Sequence, residues 1–154
     1  MYKLLRYALP ILLLTGMSIF GCSDNEPAES EQGVVTIELH DLQSSIRGED
    51  VPTSVILPPD FDPQGEPLPL LIYLHGAGGT RDELTDYLPM FLQRTIDEGA
   101  LPPLVMVGFS SDPFGLYVGW EEFVVGELPR WMHERYGTRL DRDGTVLIGP
   151  SMGG

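Results

Sequence analysis

The chain has 154 residues, 42% of them hydrophobic, and carries a formal net charge of −14 at pH 7. This length is enough for one domain with a buried core. Because an acidic surface repels phosphate backbones, the charge argues against nucleic acid as a partner. The single cysteine, Cys22, excludes an intrachain disulfide.

The first 21 residues have the pattern of an export signal. Lys3 and Arg6 give a positively charged start, and an apolar stretch over residues 8–20 follows. This stretch is shorter than the ~20 residues that a membrane-spanning helix needs. It ends in a pattern that resembles a bacterial lipobox, in which the cysteine is lipidated and begins the mature chain. We therefore predict a lipoprotein signal peptide over residues 1–21, a lipid anchor on Cys22 and a location in the bacterial cell envelope, or secretion with a free thiol if the lipobox is not used.

Residues 22–33 are predicted to form a flexible tether. The stretch has four acidic residues and no large apolar one before Gly33, so it cannot bury enough surface to pack. The globular part is then predicted to occupy residues 34–154.

Runs of β-branched and apolar residues predict five strands, over residues 34–39, 52–57, 70–74, 104–109 and 145–148. The third and fifth runs are apolar at nearly every position. Such runs are typical of strands that are buried on both faces of a parallel sheet.

A glycine-rich loop over residues 75–79 follows the third predicted strand. Its three glycines allow amide N–H groups to point into a cavity without side chains in the way. A phosphate-binding loop is the competing interpretation, but the loop has no lysine to complete the required motif.

Two helices are predicted after this loop. Thr80 and Glu83 have the spacing of a capping box, and Gly99 ends the first helix, which Pro89 is expected to kink. Its predicted apolar stripe consists of Leu84, Tyr87, Leu88, Phe91, Leu92, Thr95 and Ile96. The second helix is predicted over residues 120–136, with one stripe formed by Val124, Leu128, Trp131, Met132 and Arg135.

The last six residues place Ser151 between Gly149 and Gly153, directly after the fifth predicted strand. This G-x-S-x-G pattern is the sequence form of a nucleophile elbow, a sharp strand-to-helix turn that exposes the serine hydroxyl. The pattern alone also fits a glycine-rich turn with an incidental serine. Its position after a strand, and after the earlier glycine-rich loop, favours the nucleophile elbow.

Three segments carry a resemblance to a known family: LLIYLHGAGG, GWEEFVVGELPRWMHERYG and GPSMGG. Over about residues 52–154 the chain resembles the esterase D-like branch of the α/β-hydrolases, which includes S-formylglutathione hydrolase, feruloyl and acetyl xylan esterases, and mycolyltransferases. Pro150 departs from the residues that are common there. The resemblance implies an α/β-hydrolase fold, with a mostly parallel central sheet and helices on both faces.

The resemblance also implies a serine hydrolase of carboxylic esters that needs no cofactor or metal. Ser151 would be the nucleophile, and the oxyanion hole would take one N–H from Met152 and one from Ala77, with Gly76 as the less favoured candidate. The substrate would be a small-molecule or carbohydrate-linked ester.

In this fold an acid and then a histidine follow the nucleophile along the chain. His40, His75 and His133 all precede Ser151, and the resemblance makes His75 structural. We therefore expect the amino-terminal fragment of a longer esterase, truncated after the elbow and inactive alone. An acyltransferase on the same fold and a non-catalytic binding lipoprotein are the alternative functions.

Overall fold

The structure is a computed structural model that describes residues 33–112, 114 and 117–154. The predicted signal peptide, Cys22 and most of the predicted tether lie outside the described residues. Among the helices that the structure does describe, none has the length and apolar character that a membrane span requires.

Five strands form one mixed sheet in the order β1-β2-β4-β3-β5. Their bounds are β1 Thr36–Ser44, β2 Glu49–Leu57, β3 Leu70–Tyr73, β4 Val105–Phe109 and β5 Thr145–Ile148. β2 is antiparallel to both β1 and β4, whereas β3 is parallel to both β4 and β5. The parallel strands therefore end at one edge of the sheet, where the loops that follow β3 and β5 lie side by side.

β1 is longer than the sequence predicts. It begins at Thr36 and continues to Ser44, because it stays paired with β2 along a hairpin. The hairpin turn ends at Gly48, which has a φ of 69° and donates its N–H to the Ser44 carbonyl at 2.9 Å. The polar residues of this extension conceal the strand from a reading of apolar runs.

The helices cover both faces of the sheet, and alternate side chains of β4 pack against helices on opposite faces. Val105, Val107 and Phe109 join one buried cluster with the second helical segment, whereas Met106 joins the other cluster with Leu84 of the first helix. This alternation follows from the two-residue period of a strand.

Helix α1, Asp82–Asp97, packs on one face of the sheet. It ends as predicted at Gly99, which has a φ of 66°, with Gly99 N–H donating to Ile96 and Ala100 N–H donating to Thr95. The predicted apolar stripe is too wide, however. Leu84 is fully buried, but Tyr87 and Phe91 are 72% and 52% exposed, because only a narrow strip of α1 contacts the sheet.

The second helical segment contains a wider turn that the sequence pattern missed. A π-helical turn, Phe123–Glu127, leads directly into helix α2, Leu128–Tyr136. Pro129 explains the irregularity, since proline has no N–H to donate and its ring crowds the preceding turn. Arg135 is exposed and so does not belong to the buried stripe that the pattern predicted.

β5 has the predicted bounds but is not buried on both faces among the described residues. Val146 is 51% exposed and Leu147 is 47% exposed. The physical reason is position, because β5 is an edge strand that pairs with β3 alone in the described sheet. Its apolar sequence suits a more buried strand.

The two faces of α1 give a testable difference in stability. Leu84→Ala removes a fully buried side chain, so we expect a loss of about 2–5 kcal/mol in the free energy of unfolding. Tyr87→Ala, one turn further along the same helix, is the matched control and should change it by less than about 0.5 kcal/mol. Urea unfolding of both variants measures this. A comparable loss of unfolding free energy in both variants would mean that Tyr87 is also packed, as the wider apolar stripe predicts.

Candidate active site

Ser151 lies on a sharp turn between β5 and a single 3-10 turn, Ser151–Gly153. Its φ is 52°, in the left-handed region that residues other than glycine rarely adopt. Its side chain is exposed at the edge of the sheet. A strained and exposed serine at a strand-to-helix turn is the geometry of a nucleophile elbow.

The two glycines around Ser151 are required by the end of β3. A Cβ atom on either Gly149 or Gly153 would overlap the carbonyl oxygen of Leu74. The Leu74 N–H donates a hydrogen bond of 2.8 Å to the carbonyl of Ile148, which holds the two chain segments together. Close backbone packing against Leu74 thus explains why the pattern needs glycine on both sides of the serine.

The glycine-rich loop after β3 forms a tight turn beside this elbow. Gly79 donates its N–H to the Gly76 carbonyl at 3.0 Å, and Gly78 has a φ of 79°, which glycine adopts at no steric cost. A Cβ atom on Gly76 would lie 3.7 Å from the carbonyl oxygen of Pro150. The structure therefore brings together the loop and the elbow that the sequence predicted to share a site.

The backbone donors of the loop are not equivalent. Gly76 donates its N–H to the Glu83 carboxylate at 3.2 Å, so this donor is already used within the protein. The Ala77 N–H takes no part in the bond that closes the turn. The Met152 N–H lies in the first turn of a helix, where amide groups have no intrahelical acceptor. This arrangement favours Ala77 over Gly76 as the partner of Met152, and the oxyanion roles themselves stay predictions.

His75 is buried beneath the loop, with 1% exposure, and both of its ring nitrogens are occupied. The Gly76 carbonyl can only accept, so Nδ1–H of His75 donates to it at 2.7 Å. Nε2 then accepts from the Ser111 N–H at 3.1 Å, and the Ser111 hydroxyl lies 2.9 Å away. Tyr117 covers the ring, and burial raises the pKa of this tyrosine to about 12. His75 therefore supports the loop rather than facing Ser151.

The other two histidines are also engaged elsewhere. His40 Nε2 lies 2.7 Å from the Tyr136 hydroxyl and 3.0 Å from the Glu38 carboxylate. His133 Nδ1 lies 2.6 Å from the Thr138 carbonyl oxygen. Hence no histidine within the described ranges serves Ser151 as a base.

The sequence does not predict that Glu83 and Tyr73 support the candidate site. The sequence predicts that Glu83 completes a capping box with Thr80; this prediction is wrong, because the Glu83 carboxylate turns towards β3 and the glycine-rich loop instead. It accepts a hydrogen bond of 2.9 Å from the hydroxyl of Tyr73, whose pKa is raised to about 12 by burial and by this bond. The only hint in the sequence is that a glutamate follows Gly76 by seven residues. The spacing of this glutamate from Thr80 also fits a helix cap, so the sequence does not distinguish the two roles.

The described part of the chain contains no group of three or more His, Cys, Asp or Glu side chains arranged to hold a metal ion.

Solved structures of other proteins identify the fold of this chain. A ferulic acid esterase superposes with a TM-score of 0.70 at 20% identity, over 80% of this chain and 51% of its own. An S-formylglutathione hydrolase from Agrobacterium tumefaciens superposes with a TM-score of 0.61 at 20% identity, over 81% of this chain and 51% of its own. The fold is that of an α/β-hydrolase, as the sequence predicted.

The sequence family is also shown. The chain belongs to the esterase family described as "Putative esterase", whose pattern it matches over residues 44–154. Among curated proteins it is similar to Esterase Rv1288 of Mycobacterium tuberculosis strain H37Rv, with 29% identity over 150 residues. Esterase MT1326 of strain CDC 1551 matches equally well. These alignments cover 90% of this chain and 30% of each relative, so the chain spans about a third of the length of the curated relatives that it matches.

The packing of the elbow gives a second prediction. Gly153→Ala places a methyl group against the Leu74 carbonyl, so we expect the protein to lose about 1–3 kcal/mol of unfolding free energy. Gly126→Ala is the matched control, because a Cβ atom there has nothing within 4 Å and lies in a helical turn, where alanine is tolerated. Chemical unfolding followed by fluorescence measures both. Equal stability of the two variants would mean that the elbow does not pack as described.

Proposed function

We propose that this chain is the amino-terminal part of an exported, lipid-anchored serine hydrolase of carboxylic esters. The observation that carries the proposal is the left-handed backbone of Ser151, next to the glycine-rich turn that contains Ala77. Membership of the esterase family supports the same reaction class.

In the proposed reaction the Ser151 hydroxyl attacks the ester carbonyl carbon and loses its proton to a base. The carbonyl oxygen becomes an oxyanion, which accepts hydrogen bonds from the Met152 and Ala77 N–H groups. The tetrahedral intermediate then expels the alcohol, which takes up a proton, and leaves an acyl-serine. Water attacks this acyl group, releases the carboxylic acid and regenerates the free serine.

The base has to come from outside the described residues. His40, His75 and His133 are all engaged away from Ser151. Loss of triad members costs on the order of 10⁴ to 10⁶ in rate. We therefore propose that the 154-residue chain does not turn over esters by itself.

The proposed substrate class is drawn from proteins with the same fold and not from this chain alone. Solved structures with the same fold include several ferulic acid esterases, which supports a small-molecule or carbohydrate-linked ester. An acyltransferase would form the same acyl-serine and transfer it to an alcohol instead of water. A binding lipoprotein would keep the fold without the reaction.

Ser151→Ala tests the reaction in the full-length protein. We expect hydrolysis of p-nitrophenyl acetate to fall to near background, because only the oxyanion hole and substrate binding remain. Labelling by a fluorophosphonate probe should disappear in parallel. Ser45→Ala is the control, since this serine lies on the β1–β2 turn and bonds to Glu127, remote from the elbow.

Activity of Ser151→Ala within tenfold of the wild type would remove Ser151 from its role. Loss of acetic acid as a product, with gain of the acetate ester of glycerol when glycerol is added, would identify an acyltransferase. Absence of both labelling and turnover in the wild type would favour the binding lipoprotein. Serine-dependent turnover by the 154-residue chain would contradict its proposed inactivity.

Cys22→Ser tests the anchor. The cysteine is the lipidation site of the lipobox-like segment, so its replacement should abolish incorporation of an alkyne-labelled fatty acid in a bacterial host. Ser23→Ala should keep the label and serves as the control. Equal labelling of the wild type and Cys22→Ser would exclude lipidation at this residue.

A further inference from the structure

Glu83 joins three elements of the site through one carboxylate. It lies in the first turn of α1, and its two oxygens accept hydrogen bonds from the Tyr73 hydroxyl at 2.9 Å and from the Gly76 N–H at 3.2 Å. We infer that Glu83 is a positioning residue, which fixes the glycine-rich loop so that the Ala77 N–H is aimed at the oxyanion. This inference rests on the proposed esterase function.

A glycine-rich turn needs such a support. Glycine populates many backbone conformations, so a loop of this composition does not aim its amide groups by itself. An oxyanion donor accelerates the reaction only if it already points to where the charge develops. The rate of the reaction therefore depends on what holds the loop in one conformation.

The peptide units on both sides of the Gly76 Cα are held. Glu83 fixes the one before it through the Gly76 N–H. Nδ1–H of His75 and the Gly79 N–H fix the one after it, through the Gly76 carbonyl. In a trans peptide the N–H points opposite to the carbonyl, so the second unit sets the direction of the Ala77 N–H.

Gly79 provides the room that this support requires. A Cβ atom on Gly79 would overlap the Glu83 carboxylate and approach the His75 Cβ to 2.9 Å. The conformation of Gly79 is not in the left-handed region, so its backbone alone does not demand glycine. Position 79 requires glycine because the Glu83 carboxylate occupies the space that a side chain would need.

The hydrogen bonds of Glu83 also indicate which amide of the loop is free to act as an oxyanion donor. Because the carboxylate takes the Gly76 N–H, this amide does not reach the substrate, and Ala77 is left as the donor of the loop. Tyr73 keeps its proton over the neutral pH range, since its pKa is about 12, and so remains a donor to the carboxylate.

The test compares four variants of the full-length protein with the wild type: Glu83→Ala, Glu83→Gln, Ser151→Ala and Asp86→Asn. Glutamine can still accept from Gly76 with its oxygen and donate to Tyr73 with its nitrogen. Asp86 is exposed on the same helix and is the matched control. The measurements are kcat and KM for p-nitrophenyl acetate, the inhibition constant of a trifluoromethyl ketone analogue of the transition state, and thermal melting.

We expect Glu83→Ala to lower kcat by about 10- to 100-fold with KM within about twofold, and to weaken the transition-state analogue in parallel. Glu83→Gln should retain kcat within about threefold, and Asp86→Asn should match the wild type. A kcat of Glu83→Ala within twofold of the wild type, with Ser151→Ala inactive, would overturn the role of Glu83 and leave the proposed function intact. An active Ser151→Ala would instead overturn both.

Amide hydrogen exchange in the wild-type protein tests the same inference without a variant that has to fold. The Gly76 amide should exchange at least about tenfold more slowly than that of Ala77, because within the described part of the chain only the Gly76 amide donates a hydrogen bond. Equal exchange of the two amides would show that the carboxylate does not hold the loop.

Discussion

The close approach of the elbow to the end of β3 is the constraint on which the site depends. The Leu74 carbonyl leaves no space for a side chain at Gly149 or Gly153, and this contact keeps the turn after β5 against the turn after β3. Ser151 takes its left-handed conformation within that turn. The strain of an isolated left-handed residue costs on the order of 1–3 kcal/mol, which the surrounding backbone contacts have to offset. This packing therefore brings Ser151 next to the glycine-rich loop.

Side chains of the described residues hold the backbone of the glycine-rich loop in place. His75 would be read as a candidate base from its type alone, yet its ring connects Ser111 to the Gly76 carbonyl and is fully buried. The described residues thus hold the proposed nucleophile, Ser151, and the two proposed oxyanion donors, and their histidines are engaged elsewhere. This division agrees with a chain that spans about a third of the length of its curated relatives.

The sequence predicts the strands and the order of the two glycine-rich turns well, because apolar runs bounded by glycine and proline depend on local chemistry. Prediction from the sequence fails where contacts with residues distant along the chain determine the structure. β1 extends to Ser44 through pairing with β2, and Tyr87 is exposed because α1 meets the sheet along a narrow strip. Pro129 alone does not predict the π-helical turn, because Pro89 also removes a donor inside α1, where the chain stays α-helical. The site residues can be listed from the motif, but their distances and hydrogen-bond partners cannot.

Glu83 shows why the sequence pattern of a capping box does not always form one. A threonine followed three residues later by glutamate can satisfy helix donors, but here the Gly76 N–H and the Tyr73 hydroxyl lie within reach of the same carboxylate. A negative charge near a developing oxyanion is unfavourable, and this opposes placing a glutamate there. Two hydrogen bonds stabilise the carboxylate and occupy its oxygens. The Gly76 amide therefore faces the glutamate, and Ala77 stays the proposed donor of the loop.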